Sequence, residues 1–288
     1  MRGIAAWRAL ALISAQRNDN VKEITGTTRL YGILADPIHH VKTPQRLNEY
    51  FAQIGHDGVC VPFHATPDSL ATVVAGLRQL RNLGGFIVTV PHKTAILQLV
   101  DEASDATTLI GAANVVRREP DGRLVADMLD GEGFVRGVLA AGHELRGKTA
   151  YMAGAGGAAN AIAFALVKAG VANLTIANRT SAKAEDLKQR ILTLYPDARI
   201  HVGTPDPSGH EIVVNATSLG LAEGDALPLE VNRLTPDQLV CEIIMQPKDT
   251  ALLQAAQVRG CRIHYGAPML ACQIPLMAQA LGVPGAGQ

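Results

Sequence analysis

Gly154, Gly156 and Gly157 stand in the run Lys148-Thr-Ala-Tyr-Met-Ala-Gly-Ala-Gly-Gly-Ala-Ala-Asn160, after a short apolar stretch and before helical sequence at 162–169. Strand, tight glycine turn and helix, in that order, form the arrangement that binds a dinucleotide pyrophosphate. Gly154 allows the sharp turn. Gly156 removes a side chain that would block the phosphates, and Ala159 keeps helix and strand close. The helix N-terminus adds unsatisfied N–H groups and a partial positive charge. Alone, such a turn also fits a purely structural corner. Charge then discriminates between dinucleotides. A site selective for NAD places an Asp or Glu near the end of the second strand to bind the ribose 2′-hydroxyl. Here Asn178-Arg-Thr180 and then Lys183 occupy that place, with no acid before Glu185. An Arg–Lys pair suits a 2′-phosphate. NADP is therefore favoured, and NAD stays possible.

The elements that must position these residues alternate between short apolar runs and helical periodicity. Strands are expected at 30–35, 58–63 and 85–90, with helices at 44–53 and 69–83. Helical sequence resumes after Pro91 through residue 100, and Pro120-Asp-Gly122 marks a hairpin between 114–118 and 123–128. A helix then runs to residue 140. Beyond the glycine turn, strands are expected at 174–177, 199–202, 211–215, 239–244 and 261–265, with helices at 182–194, 249–258 and 268–281. This is an α/β chain.

A length of 288 residues suggests two domains. Lys+Arg and Asp+Glu both number 26, and no basic block stands out, so neither nucleic acid nor an anionic membrane surface is an expected partner. No run reaches the length of a membrane span. Cys60, Cys241, Cys261 and Cys272 lack metal-binding or Cys-x-x-Cys spacing and read as reduced, mostly buried thiols of a cytoplasmic protein. The first 26 residues carry Arg2, Arg8 and Arg17 with no acid before Asp19. They read as a flexible extension, with a targeting or signal-like peptide as the alternative.

Eight stretches, in order, resemble the shikimate dehydrogenase family over roughly residues 28 to 283. They are Asp36-Pro-Ile-His-His-Val-Lys-Thr-Pro44, Val88-Thr-Val-Pro-His-Lys93, Gly111-Ala-Ala-Asn114, Asp127-Met-Leu-Asp-Gly131, Gly154-Ala-Gly-Gly157, Asn178-Arg-Thr180, Asn215-Ala-Thr-Ser218 and Met269-Leu-Ala-Cys-Gln273. The resemblance implies two α/β domains. Residues 27–130 with 268–288 would bind substrate, 131–267 would form a Rossmann-type cofactor domain, and the last helix would return to the first domain. It implies NAD(P)-dependent interconversion of a secondary alcohol and a ketone on a cyclic hydroxy acid, by a monomer or homodimer.

By the same resemblance Lys93 and Asp130 are the catalytic pair. Composition alone would make Lys93 a solvated surface charge and Asp130-Gly131 a turn. In a partly desolvated cleft beside a carboxylate, a lysine can take the hydroxyl proton or stabilise the alkoxide. Thr43, Thr89, Asn114 and Gln273 would bind substrate. Gly154, Ala155, Gly156, Gly157, Ala158, Asn178, Arg179, Thr180, Lys183, Ala216, Thr217, Ser218, Ile243 and Gly266 would line the cofactor. His39, His40 and His92 read as pocket lining or surface, and no metal is expected.

The resemblance frays on the substrate side. The family's Ser-x-Ser, which receives the substrate carboxylate, is Val41-Lys-Thr43 here. Ile87 replaces an Asn, Met128-Leu129 replaces Asn-Thr, and Met245 replaces a Tyr. These changes predict a more apolar pocket, in which shikimate is a poor substrate and quinate, an amino analogue or another ring acid replaces it. A dinucleotide-binding sensor with negligible turnover, or a folate dehydrogenase of similar architecture, are the alternatives.

Overall fold

The computed structural model describes residues 22–39 and 41–286. The expected extension at 1–26 lies mostly outside the described residues. Its described end is anchored rather than loose: the Lys22 ammonium donates to the carbonyls of His56 (3.0 Å) and Gly58 (2.5 Å).

The first half runs β1 (Arg29–Ala35), α1 (Thr43–Gln53), β2 (Gly58–His64), α2 (Leu70–Gln79), β3 (Leu83–Val88), β4 (Glu102–Ala103), α3 (Asp105–Ile110), β5 (Val115–Arg118) and β6 (Leu124–Asp127). These strands form one six-stranded sheet, ordered β2-β1-β3-β5-β6-β4. Helix α4 (Asp130–Ala140) leads out of it. The second half runs β7 (Thr149–Ala153), α5 (Gly157–Lys168), β8 (Asn173–Ala177), α6 (Ser181–Leu194), β9 (Ile200–Val202), β10 (Ile212–Asn215), β11 (Leu239–Glu242), α7 (Ala251–Val258), β12 (Arg262–His264) and α8 (Ala267–Ala280).

The second sheet is parallel throughout, ordered β12-β11-β10-β7-β8-β9. Strand order reverses between β7 and β10, so the loops after these strands flank the crevice where open α/β sheets take ligands. Near-continuous apolar runs such as Ile212-Val-Val214 follow from burial on both faces.

Helix α8 returns to the first sheet. Its Ile274, Leu276 and Met277 pack in one cluster with Ile33, Leu47, Phe51 and Ile87. The opposite face of that sheet is covered by Leu70, Val74 and Leu77 of α2.

Three local expectations are corrected. The helix expected over 69–83 ends at Gln79, because Leu83 is fully buried as the first residue of β3. After Pro91 the chain forms only a 3₁₀ turn, Ala95–Gln98, that buries Ile96. Helix α3 was not expected. Its signals are Ser104, whose hydroxyl accepts from Thr107 N–H (3.2 Å), and the left-handed Gly111 that closes it.

His264 on β12 is 4% exposed, packs edge-on to Phe134 and His143, and buries an Nε2 with no partner among the described residues. Burial, then the nearby His143, pushes its pKa below the usual histidine value. The unfolded chain therefore takes up this proton first as pH falls below about 6.5. Stability is expected to drop there by up to about 1.4 kcal/mol per pH unit for this group. In thermal melts from pH 7.5 to 5.5, His264→Leu should show a shallower fall in Tm than the parent; equal slopes would refute the assignment.

Candidate active site

Asp130 is the first residue of α4, where an acidic side chain is favoured by the helix dipole. Its carboxylate is a convergence point. Oδ2 accepts from the Lys93 ammonium at 2.6 Å, and Oδ1 accepts from Asn114 Nδ2 at 2.8 Å and from Gln273 Nε2 at 3.3 Å. The four side chains come from the turn after β3, the residue just before β5, the start of α4 and the middle of α8. The Asp130 side chain is 4% exposed and that of Lys93 is 18% exposed, so the pair is largely desolvated. Every contact to Asp130 is a donated hydrogen bond, which suits a carboxylate and leaves it no donor role.

Local structure explains the convergence. A Cβ added at Gly133 would sit 2.2 Å from Gln273 Cγ, so glycine one turn into α4 gives α8 room to deliver Gln273. The Asn114 Oδ1 accepts from the Leu129 N–H at 2.8 Å, which fixes the amide orientation. With Nδ2 also donating to Asp130, Asn114 keeps one N–H and one lone pair of Oδ1 uncommitted. Thr43 is buried at the start of α1 and Thr89 is half-buried beyond β3; neither hydroxyl has a partner among the described residues. His92 is neither pocket lining nor surface. It is buried, with Nε2 against the Ala65 carbonyl at 2.7 Å. His39 is exposed, and His40 lies outside the described residues. The described residues contain no cluster of acids, histidines and cysteines able to hold a metal.

The residues expected around a dinucleotide lie at the C-terminal edge of the second sheet. Gly154 has φ +118°, and an added Cβ would sit 2.7 Å from the Ala216 carbonyl oxygen, so the turn after β7 is pressed against the loop after β10. At Gly156, the N-cap of α5, an added Cβ would meet nothing within 4 Å. That open face and the unsatisfied N–H groups of the first turn fit a pyrophosphate. Ala155, Gly157 and Ala158 complete the corner. At the end of β8, Asn178 donates to the Thr180 carbonyl (2.9 Å) and holds the turn, while Arg179 and Lys183 are exposed and form no ion pair with a described residue. Gly266 lies directly against Ile243 and Ile244; a Cβ there would be 2.5 Å from the Ile244 carbonyl oxygen.

Glu242, at the end of β11, is a functional neighbour that the sequence reading missed. It is fully buried and accepts from Asn215 Nδ2, Thr250 Oγ1 and the N–H groups of Ile243 and Ile244 at 2.8–3.1 Å. Asn215 in turn accepts from the Thr217 N–H (3.0 Å) and hydroxyl (2.7 Å). One carboxylate thus ties down both loops, 216–218 and 243–245, with Ser218 carried on the first. Burial pushes its pKa up, although every group around it donates to the anion. Nothing periodic in the sequence marks such a residue.

Of the substituted substrate-side positions, Val41, Ile87 and Leu129 share one apolar wall, and Met128 and Met245 stand apart from it. Ile87 and Leu129 belong to the cluster under α8, and Val41, Ile38 and Leu270 pack against it. Met128 is buried on the other side, in the core of the second sheet, and Met245 is 43% exposed.

Comparison with known proteins gives a consistent result. A family model described as shikimate dehydrogenase substrate binding domain matches residues 33–116, and one described as shikimate / quinate 5-dehydrogenase matches residues 138–200. The chain is 42% identical to shikimate dehydrogenase (NADP(+)) of Rubrobacter xylanophilus over 262 residues, covering 88% of this chain and 90% of the relative. Among solved structures, shikimate 5-dehydrogenase from Listeria monocytogenes in complex with shikimate and NAD superposes with TM-score 0.79 at 34% identity, covering 89% of this chain and 94% of that one. Quinate dehydrogenase from Corynebacterium glutamicum in complex with NAD gives TM-score 0.80 at 26% identity, covering 88% and 93%.

Proposed function

Because the chain belongs to the shikimate dehydrogenase family, we propose that the Lys93–Asp130 pair is the proton-handling centre of an NAD(P)-dependent alcohol dehydrogenase. The enzyme interconverts a secondary alcohol and a ketone on a cyclic hydroxy acid: shikimate, quinate or a related ring acid. Residues 27–130 with 268–288 hold this small-molecule substrate, and residues 131–267 hold the cofactor. Action as a monomer or homodimer in the cytoplasm belongs to the same proposal. The carrying observation is the 2.6 Å contact between an amine and a carboxylate on the first-sheet side of the chain, held by two amides.

Oxidation removes a proton from the hydroxyl and a hydride from its carbon. Bound NADP supplies the hydride acceptor, and its reduced form the donor for the reverse reaction. Lys93 takes the hydroxyl proton or holds the charge developing on that oxygen. Asp130 orients the amine and accepts from neighbouring ring hydroxyls. Asn114 and Gln273 fix the carboxylate and offer their remaining hydrogen-bonding capacity to the ring. Thr43 and Thr89 extend the same substrate-binding assignment. A screen of shikimate, quinate and amino analogues with NADP and NAD, followed by reduced-nicotinamide absorbance, tests the reading. Tight NADP binding with no turnover across that panel would instead favour a sensor on the same fold.

Arg179 and Lys183 carry the cofactor preference. Arg179→Ala should weaken NADP about tenfold while leaving NAD nearly unchanged, the loss expected for one charge-assisted hydrogen bond to a phosphate. Titration of both cofactors by protein fluorescence checks this, and equal losses would remove the 2′-phosphate assignment.

A further inference from the structure

The segment Ile110–Asn114 belongs to both halves of the molecule at once. Ile110 and Ala112 are buried in the core of the second sheet, with Ala159, Ile162, Leu187 and Ile191. Ala113, the next residue, is buried in the core of the first sheet with Leu34, Phe86 and Val88. Two side chains from the second half hold the segment at its start. Arg190 of α6 donates through Nη1 to the carbonyls of Leu109 (2.6 Å) and Ile110 (2.9 Å), and Asn160 of α5 donates to the same Ile110 carbonyl (3.0 Å). These are carbonyls at the C-terminal end of α3, where a cation is favoured.

The other end of the segment reaches the reacting groups. The Ala113 N–H donates to the Lys93 carbonyl at 2.8 Å, and Asn114 donates to Asp130. The links fall in turn at Ile110, Ala113 and Asn114. Asn160 itself stands at the end of the glycine run, and Ala112 Cβ lies 3.5 Å from where a side chain on Gly157 would begin. The corner that takes the pyrophosphate and the turn that carries Lys93 therefore grip the same five residues.

We infer that Arg190, with Asn160, is a positioning residue that sets the register between the cofactor-holding half and the Lys93–Asp130 pair through the Ile110–Asn114 segment. This rests on the assignment of Lys93 and Asp130 as the proton-handling centre. Arg190 touches neither the glycine turn nor Arg179, so it acts on distance and angle at the reacting atoms and not on cofactor affinity. Hydride transfer is sensitive to such placement, and a shift well under 1 Å is enough to slow it. The Asp186 carboxylate, 2.9 Å from Arg190 Nε on the same helix, keeps the guanidinium aimed.

The test uses Arg190→Met, which keeps the stem and removes the donors, and Arg190→Lys, which restores a single cationic donor. Amide hydrogen exchange of the full chain is read over residues 109–114 and 91–94, beside NADP binding, kcat and KM. Arg190→Met should raise exchange across 109–114 and lower kcat about five- to tenfold, with NADP affinity and substrate KM within about twofold of the parent. Arg190→Lys should recover most of kcat. Unchanged exchange at 109–114 would overturn the inference. Faster exchange with native kcat would also overturn it, by making the contact structural only. If no ring acid is turned over even by the parent chain, faster exchange at both 109–114 and 91–94 still supports the coupling, and the failure then lies with the substrate assignment.

Discussion

Lys93→Ala is expected to lower kcat by about 10²- to 10⁴-fold while NADP binds as before, the range seen when a positioned acid–base group is removed. The separation of effects follows from the geometry. Lys93 sits on the turn after β3, and the glycine corner after β7 is built by other residues. The substitution also strips a buried carboxylate of its cation, leaving Asp130 with the donors of Asn114 and Gln273. Breaking a buried pair from one side costs about 3–5 kcal/mol. The partial exposure of Lys93 and the two remaining amides place this case below that range. A melting curve and an NADP titration must therefore accompany the kinetics. A folded variant that binds NADP and keeps near-native kcat would end the catalytic assignment of this lysine.

Val41→Ser is expected to raise kcat/KM for shikimate by about ten- to hundred-fold, through KM more than kcat. The basis is a single hydrogen bond to a charged group, worth about 1.5–3 kcal/mol. The resemblance places a carboxylate-binding hydroxyl at this position, and the chain has a half-buried isopropyl group packed against the cluster of Ile87 and Leu129. Thr43, two residues on in the first turn of α1, is the proposed second hydroxyl of that pair. Steady-state kinetics of parent and variant on shikimate and on a ring substrate lacking the carboxylate decide the matter. A gain confined to the acid supports the assignment. Equal changes on both substrates would show that residue 41 shapes the pocket without meeting the carboxylate.

The parts of the site that were legible in the sequence are those whose chemistry demands a particular residue in a short run. The glycine corner needs Gly154 for its positive φ, and Asn178-Arg-Thr180 states a charge preference without any structure. Lys93 and Asp130 became legible only through ordered motifs, since a lysine after a strand and an Asp-Gly pair are by themselves ordinary. What stayed hidden depends on contacts between residues far apart in the chain. Arg190 meets Ile110 across 80 positions, and Glu242 gathers donors from three separate elements. Neither leaves a periodic trace. Helix α3 escaped because six residues are too few to show a repeat, although Ser104 and Gly111 mark its ends. The over-long helix at 69–83 is the reverse error: leucines 80 and 83 keep a helical spacing, but the sheet claims Leu83 for its core.

The return of α8 has a consequence for biosynthesis. Helix α8 supplies both the lid over Ile33, Leu47 and Phe51 and the third donor to Asp130. On a ribosome those residues are translated more than 130 positions after the last strand of the sheet they complete. An oily surface on the nascent chain must wait, uncovered, until the codons for residues 267–280 have been read. A message cut short just after the codon for residue 266 would yield a product with both sheets encoded in full and the Asp130 carboxylate still missing an amide.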